Sequence, residues 1–238
     1  MNCFIPAAGF GKRMGDLTRN LPKPLLEING IALLDLAIFN AYHMGARKFC
    51  INTHYLAPLI HKHLEKFESK LDIKISFEEE KILGTAGGIR TGIDGYFGKG
   101  ESFLCLNPDV MLFLPEPFQV VPQNYSGSPF LYLYNNKKNE NYTGLDLQNG
   151  KVRFGKGEFF FIGLSILNTD LFDSISKNEY SDLSELFRKL SEEDTLEGGL
   201  FSGHLEDLGE LDKFLNYQSD EMVGDYFEKV RKWLRSVT

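Results

Sequence analysis

A glycine-rich loop with two nearby cations is the first segment of the sequence whose residues could bind a ligand. Residues 6–14 read PAAGFGKRM, and Lys23 lies between two prolines at positions 22 and 24. Small residues let backbone N–H groups approach a ligand closely, and consecutive N–H groups form a nest for anions. Arg13 adds a planar pair of donors that suits phosphate oxygens. The pattern therefore predicts a polyphosphate site.

Two commoner glycine-rich motifs do not fit this loop. The dinucleotide fingerprint G-x-G-x-x-G requires glycine where Met14 stands, and Gly15 comes one residue late. No segment supplies the G-x-x-x-x-G-K-[ST] pattern of a Walker A loop. A dinucleotide-dependent oxidoreductase is therefore a minor alternative, and a phosphate-binding loop of another class is favoured.

Two aspartates could bind a divalent cation near this loop. Asp109 follows the apolar run 103–106, and Asp207 follows another apolar stretch. Mg²⁺ prefers carboxylate oxygens and takes its other ligands from phosphates and water. If both preceding strands end at one edge of a sheet, the two carboxylates can bind one Mg²⁺ ion. The alternatives are a turn or cap role for Asp109 and a solvated acidic face for Asp207, which lies in the acidic segment 206–212.

Alternating strand and helix patterns in the first 106 residues must position these groups. Strand–helix–strand order predicts a Rossmann-like α/β fold, a three-layer open and mostly parallel sheet with helices on both faces. Ligands of such sheets bind at the carboxyl ends of the strands. Strands are predicted at 3–7, 49–52, 73–77 and 103–106, and helices at 33–42, 59–67 and 85–97.

After Pro115 the pattern changes to that of a β-rich lid insertion. Strands are predicted at 130–134 and 158–167, and the polar stretch 135–157 between them predicts a surface hairpin or flap. Helical patterns return at 183–190, 208–217 and 222–234. No linker is long enough to separate two domains, so we expect one domain over residues 1–238, with its lid at about 115–200.

Composition excludes several classes of protein. The 26 basic and 33 acidic residues give a net charge of −7, whereas a general nucleic-acid binder is usually basic. The three cysteines lie in apolar stretches, which predicts buried reduced thiols in a cytoplasmic protein. No signal peptide is evident, and no apolar run reaches the roughly 18 residues needed to span a membrane. We expect neither a nucleic-acid nor a membrane partner.

The order of the motifs resembles that of the sugar-1-phosphate nucleotidyltransferase family, over nearly the whole chain. Enzymes of this family transfer a nucleoside monophosphate from an NTP to a sugar 1-phosphate and release pyrophosphate. The segments are most similar to those of small mannose-1-phosphate guanylyltransferases. The matching segments are A-A-G-x-G-x-R-M at 7–14, P-K-P-L at 22–25, N-T-H-Y-L at 52–56, E-x-x-L-G-T-A-G-G at 80–88, N-x-D-V at 107–110, G-x-x-x-L at 163–167 and D-x-G at 207–209.

The resemblance implies that the protein binds an NTP (GTP or UTP) and a sugar 1-phosphate. It also implies a monomer or homodimer, and a role for particular residues. The implied cofactor is Mg²⁺, bound by Asp109 and Asp207. The implied catalytic residues are Arg13, Lys23 and Asp109. The implied nucleotide-binding residues are Ala7, Ala8, Gly9, Gly11, Glu80, Gly84, Thr85, Ala86 and Gly87. The implied sugar-binding residues are Gly144, Glu158 and Gly163.

Several departures from the family pattern leave alternatives open. Pro108 stands where the family has glycine, and proline removes a backbone N–H. Glu210 stands where threonine is common, and the E-K-P motif of many members has no clear counterpart, although Lys156 and Glu158 lie in its region. The alternatives are a uridylyltransferase for a hexosamine or N-acetylmuramic acid 1-phosphate, a phosphocholine cytidylyltransferase, and a non-catalytic nucleotide-sugar sensor or regulatory subunit.

Overall fold

The computed structural model describes residues 1–135, 142–217 and 221–238, with side chains in the last range described from residue 224 onward. Residues 136–141 of the expected flap therefore lie outside the described part. The side chains of Met222 and Val223, which belong to the last predicted helical pattern, lie outside it as well.

The described residues form thirteen strands and six α-helices, with four short 3-10 helices between them. The strands are β1 (Asn2–Pro6), β2 (Glu27–Ile28), β3 (Ile31–Ala32), β4 (Lys48–Thr53), β5 (Asp72–Phe77), β6 (Ser102–Leu106), β7 (Val110–Phe113), β8 (Phe130–Asn135), β9 (Gly144–Gln148), β10 (Lys151–Gly155), β11 (Phe159–Asn168), β12 (Glu197–Leu200) and β13 (His204–Asp207). The helices are α1 (Leu33–His43), α2 (Ala57–Leu64), α3 (Gly84–Ile93), α4 (Leu183–Glu192), α5 (Leu211–Leu215) and α6 (Glu221–Val237). The 3-10 helices are Lys12–Thr18, Lys23–Leu25, Glu65–Phe67 and Thr169–Phe172.

Nine of the strands form one continuous sheet in the order β5-β4-β1-β6-β11-β8-β12-β10-β9. The first four strands are parallel, whereas β11 runs antiparallel to both β6 and β8. Strand β12 lies parallel to β8, and the β9–β10 hairpin closes the far end. The predicted α/β class is confirmed, but the sheet is mixed rather than mostly parallel, because the strands after β6 add mainly antiparallel pairings.

Both faces of this sheet are covered, which gives the three layers expected of the class. Alternate residues of β1 show it, because Cys3 and Ile5 belong to one buried apolar cluster and Phe4 to another. Helices α1, α2 and α6 contribute to the first cluster, and α3 and α4 contribute to the second. The three cysteines are free and buried as predicted, and burial raises the pKa of Cys50 and of Cys105 to about 12. Such thiols are unreactive at neutral pH.

Three features of the C-terminal half differ from the sequence prediction. The predicted helix 208–217 is shorter in the structure. Strand β13 ends at Asp207, and helix α5 covers only Leu211–Leu215. Strand β13 pairs with β7 in a separate antiparallel ribbon that local sequence patterns did not predict. The expected surface hairpin is present as β9–β10, but it belongs to the large sheet and buries Leu145 and Val152.

None of the described helices combines the length and apolar character needed to cross a membrane.

Candidate active site

A cavity of about 370 Å³ opens at the carboxyl ends of β1, β4 and β6, where the sequence analysis placed the ligand. Besides Lys12 and Asn107 it is lined by nine of the predicted site residues, namely Ala7, Ala8, Gly9, Gly11, Arg13, Lys23, Gly84, Thr85 and Asp109. The predicted residues outside its lining are Glu80, Ala86, Gly87, Gly144, Glu158, Gly163 and Asp207. The cavity thus joins the glycine loop, the second glycine segment and one of the two aspartates.

The glycine loop is shaped by contacts that glycine alone permits. Gly11 has a φ of +65°, and a Cβ there would lie 2.9 Å from Cγ2 of Thr18. The Met14 N–H donates to the Gly11 carbonyl oxygen at 2.8 Å and so starts the 3-10 helix that carries Arg13. Arg13 is exposed on the cavity lining, where its guanidinium can reach an anion. This geometry agrees with the phosphate-binding loop predicted from the sequence.

A buried carboxylate that the sequence analysis missed joins the two glycine segments. Asn52, at the end of β4, accepts a hydrogen bond from the Ala7 N–H at 2.8 Å and donates to Oε1 of Glu78 at 2.6 Å. The other oxygen of Glu78 accepts from the Leu83 N–H at 2.8 Å. Burial raises the pKa of Glu78, although these donors and His54 oppose the shift. The sequence prediction chose Glu80 instead, which is exposed.

The second glycine segment divides between the cavity and a neighbouring loop. Gly84 and Thr85 line the cavity. The N–H groups of Ala86 and Gly87 both donate to the carbonyl oxygen of Ser181, at 3.1 Å and 3.2 Å. Because these donors are used within the protein, the structure places Ala86 and Gly87 in packing against the loop before α4. Their role in binding a nucleotide therefore stays a prediction.

Lys23 and Asp109 form a largely buried ion pair at the cavity wall. Nζ of Lys23 donates to Oδ2 of Asp109 at 2.5 Å and to the carbonyl oxygen of Gly209 at 3.0 Å. The side chains are 13% and 19% exposed, so water screens the pair weakly. Lys23 lies between Pro22 and Pro24 and is the first residue of a short 3-10 helix, Lys23–Leu25. The conformational restriction imposed by the prolines keeps the cation directed at the carboxylate.

The β7–β13 ribbon brings Asp207 to Asp109. Asp207 pairs with Val110 in the ribbon, and the Leu208 N–H donates to the Asp109 carbonyl oxygen at 2.9 Å. The two aspartates thus come together as predicted, but through a ribbon rather than through a shared edge of the main sheet. A Cβ on Gly209 would lie 2.8 Å from Oδ1 of Asp207 and 3.4 Å from Oδ2 of Asp109. The absence of a side chain there leaves room between the two carboxylates.

Two further groups that the sequence analysis missed bind the outer oxygen of Asp207. The Tyr142 hydroxyl donates to Oδ2 at 2.5 Å, and Nζ of Lys213 lies 3.3 Å from the same oxygen. Burial opposes ionisation of Asp207, but these contacts and the Gly209 N–H outweigh it, so the pKa of Asp207 lies below its usual value. Neither Tyr142 nor Lys213 belongs to a recognisable motif, and only the fold brings them to the aspartate.

The two aspartates fit a hard divalent cation such as Mg²⁺. Two carboxylate oxygens converge on the space beside Gly209, and oxygen is the ligand that Mg²⁺ prefers. Among the described residues there is no group of three or more His, Cys, Asp or Glu that could hold a metal. A metal at Asp109 and Asp207 would therefore take its remaining ligands from phosphate and water, as Mg²⁺ commonly does in phosphate chemistry.

The predicted sugar-binding residues do not line the cavity. The Asn107 N–H donates to the carbonyl oxygen of Gly163 at 2.9 Å, and Gly163 has a φ of +79°. Gly163 thus supports Asn107, which does line the cavity. Gly144 packs against the backbone of Gly157, and Glu158 is exposed. The structure does not bring these last residues into one pocket.

Comparison with known proteins defines the class to which this fold and site correspond. The family model for nucleotidyl transferases matches residues 3–123, about half of the chain, which include the glycine loop, Lys23 and Asp109. The chain belongs to the nucleotidyl transferase family.

Curated relatives of the chain are mannose-1-phosphate guanylyltransferases. The chain is 26% identical over 227 residues to the catalytic subunit beta of Dictyostelium discoideum, a match that covers 91% of this chain and 63% of the relative. It is 26% identical over 222 residues to mannose-1-phosphate guanylyltransferase 1 of Arabidopsis thaliana, covering 88% of this chain and 62% of that protein. The chain therefore spans less than two thirds of the length of these relatives.

Solved structures with the same fold include enzymes with different named substrates. The inositol-1-phosphate CTP transferase from T. maritima superposes with a TM-score of 0.76 at 16% identity, over 97% of this chain and 96% of that chain. A UDP-glucose pyrophosphorylase superposes with a TM-score of 0.69 at 19% identity, over 96% of this chain and 98% of that chain. At these identities the likeness concerns the fold.

Proposed function

We propose that this protein transfers a nucleoside monophosphate from an NTP to a sugar 1-phosphate, with GTP and mannose 1-phosphate as its substrates. The observation that carries the proposal is the cavity that joins the glycine loop, Arg13, Lys23 and Asp109. The names of the curated relatives support guanylyl transfer to mannose 1-phosphate.

The reaction joins two anions, so it needs neutralisation of charge and alignment more than covalent help. An oxygen of the sugar phosphate attacks the α-phosphorus of the NTP, and the bond from that phosphorus to the bridging oxygen breaks. The electron pair leaves with pyrophosphate. Because the attacking oxygen is already ionised near neutral pH, no general base is required.

The described residues provide cations on the donor side of this reaction. Backbone N–H groups of the loop from Ala8 to Gly11 and the guanidinium of Arg13 bind the triphosphate and stabilise the charge that develops on departing pyrophosphate. Lys23 aligns the phosphates from its position at Asp109. Asp109 and Asp207 would hold Mg²⁺, which would polarise the α-phosphoryl group and screen the charge of the attacking oxygen.

The test is release of pyrophosphate by the purified protein from each of four NTPs with several sugar 1-phosphates and phosphocholine, with and without Mg²⁺. We expect the largest signal with GTP and mannose 1-phosphate in the presence of Mg²⁺. Asp109→Asn should lower turnover about 100-fold or more while the protein stays folded, because one ligand charge of the metal is lost.

Asp173→Asn is the matched control, because Asp173 is an exposed aspartate outside the cavity. It should keep wild-type turnover. Turnover with UTP or CTP instead would retain the transfer chemistry and overturn the proposed substrates. Tight nucleotide binding without turnover across the whole panel would contradict catalysis and favour a sensor.

A further inference from the structure

We infer that Lys213 binds the phosphate group of the acceptor sugar 1-phosphate. This inference rests on the proposed function, because it assigns a residue to the second anion of that reaction. Lys213 lies in α5, six residues after Asp207, in a segment that matches no motif of the family pattern. Its assignment comes from its contacts alone.

Each of the two aspartates is paired with a different lysine. On one side Lys23 donates to Oδ2 of Asp109, and it lines the cavity together with Lys12 and Arg13. On the other side Lys213 contacts Oδ2 of Asp207, and it does not line that cavity. Cations therefore flank the carboxylate pair at both ends.

The chemistry places one anion at each end of this arrangement. The triphosphate binds to the glycine loop, whose cations lie at the Asp109 end. In-line attack places the acceptor oxygen opposite the leaving pyrophosphate. The acceptor phosphate must then lie on the Asp207 side, where Lys213 is the described cation that contacts the aspartate.

The Lys213 ammonium group is held in position by its neighbours and is still partly exposed to solvent. Its Nζ lies 2.5 Å from the Tyr142 hydroxyl. The ring of Tyr142 stacks on Phe160 at 4.1 Å between centroids and 7° between planes, so the hydroxyl is held in place. The Lys213 side chain is 27% exposed, which leaves it accessible to an anion from solvent.

The structural alternative is that Lys213 only holds Asp207 in place. The two roles differ in what the substitution changes. Replacing a residue that binds the acceptor raises the KM for the acceptor. Replacing one that only holds Asp207 in place weakens metal binding. The test is therefore steady-state kinetics of Lys213→Met and Lys213→Arg with each substrate varied, together with direct titration of Mn²⁺ by calorimetry.

We expect Lys213→Met to raise the KM for the sugar 1-phosphate about 10- to 100-fold, the range of a hydrogen bond to a charged group. The KM for the NTP should stay within about twofold of wild type, and Mn²⁺ should bind no more weakly than to the wild type, because removing a cation from Asp207 does not oppose metal binding. Lys213→Arg should restore most of the loss in acceptor KM. Lys229→Met is the matched control, since Lys229 is exposed and pairs with Glu116 away from the site. It should leave all constants unchanged.

The outcomes separate this inference from the proposed function. Wild-type protein that releases no pyrophosphate with any acceptor overturns both. Turnover by the wild type together with an unchanged acceptor KM in Lys213→Met overturns the role of Lys213 and leaves the proposed function intact. A change confined to Mn²⁺ affinity likewise overturns acceptor binding, because it assigns Lys213 to positioning Asp207.

Discussion

The ion pair between Lys23 and Asp109 makes metal binding a competition at a single oxygen. Oδ2 of Asp109 accepts from Lys23 at 2.5 Å, and the same carboxylate faces Asp207 across Gly209. A divalent cation at the carboxylate pair would displace the lysine, which would then be available to the phosphates of the donor. We therefore expect Lys23 to weaken metal binding in the free protein and to contribute to catalysis once substrates are bound.

Replacing Lys23 should separate these two effects. We expect Lys23→Met to bind Mn²⁺ severalfold more tightly, since a largely buried carboxylate without its cation attracts metal more strongly. The same variant should lose about 100-fold or more of its turnover. Calorimetric titration of Mn²⁺ and release of pyrophosphate measure the two effects. Lys229→Met is the control, because Lys229 is exposed and pairs with Glu116 away from the site, so its removal should leave metal affinity unchanged. Weaker metal binding by Lys23→Met would contradict the competition.

Glu78 gives a prediction on pH and stability. Burial raises its pKa in the folded protein above the ordinary value of 4.5. The folded state thus favours the protonated form, and ionised Glu78 costs stability as pH rises through the folded-state pKa. Glu78→Gln has no such titration, so its unfolding free energy minus that of the wild type should increase between about pH 4 and pH 7. Urea unfolding at several pH values measures this difference, and a constant difference would contradict the raised pKa.

At the residue scale, sequence could predict the residues that belong to local motifs. Arg13, Lys23 and Asp109 were found because each follows a strand or lies in a short segment of characteristic composition. Asn52 was recognised as part of a segment, but its partner Glu78 was not. That bond joins residues 26 positions apart, and only the alignment of β4 and β5 brings them together.

At the scale of elements, the β7–β13 ribbon positions the carboxylate pair. The ribbon joins two segments nearly a hundred residues apart, with Asp207 opposite Val110. Helical periodicity and strand alternation are local signals, so they predicted the four parallel strands of the N-terminal half. They could not identify this pairing, because neither short strand is distinctive by itself. The ribbon is why the two aspartates meet.

Gly209 provides a test of the ribbon geometry. A Cβ there would lie 2.8 Å from Oδ1 of Asp207, which is too close for an unshifted carboxylate. We expect Gly209→Ala to lower the affinity for Mn²⁺ about tenfold or more while Tm stays within a few degrees of wild type, since the strain falls on one partly buried side chain. Gly224→Ala is the matched control, because a Cβ on Gly224 meets nothing within 4 Å. Unchanged Mn²⁺ affinity in Gly209→Ala would contradict the proposed metal site.

At the scale of the whole molecule, one sheet runs through both the N-terminal half of the chain and the predicted lid. Strand β11 pairs with β6 of the first part and with β8 of the second. This continuity supports the single domain expected from the absence of a linker, which stays a prediction.

Cooperative unfolding would follow from that continuity. The single tryptophan, Trp233, packs on Phe39 and Phe67 and reports on the first apolar cluster, whereas far-ultraviolet circular dichroism reports on all elements. We expect both signals to give the same midpoint in urea, because shared strands couple the two halves. Two separate transitions would contradict a single cooperative unit.

If the cavity catalyses the proposed transfer of a nucleoside monophosphate, the acceptor attacks the α-phosphorus of the NTP. The most direct measurement follows GTP labelled at the α- or γ-phosphorus during incubation with mannose 1-phosphate and Mg²⁺. We expect the α-label to enter the nucleotide sugar and the γ-label to enter pyrophosphate, and we expect Asp109→Asn to lose both products. Labels that remain in GTP, or a γ-label released as inorganic phosphate, would contradict it.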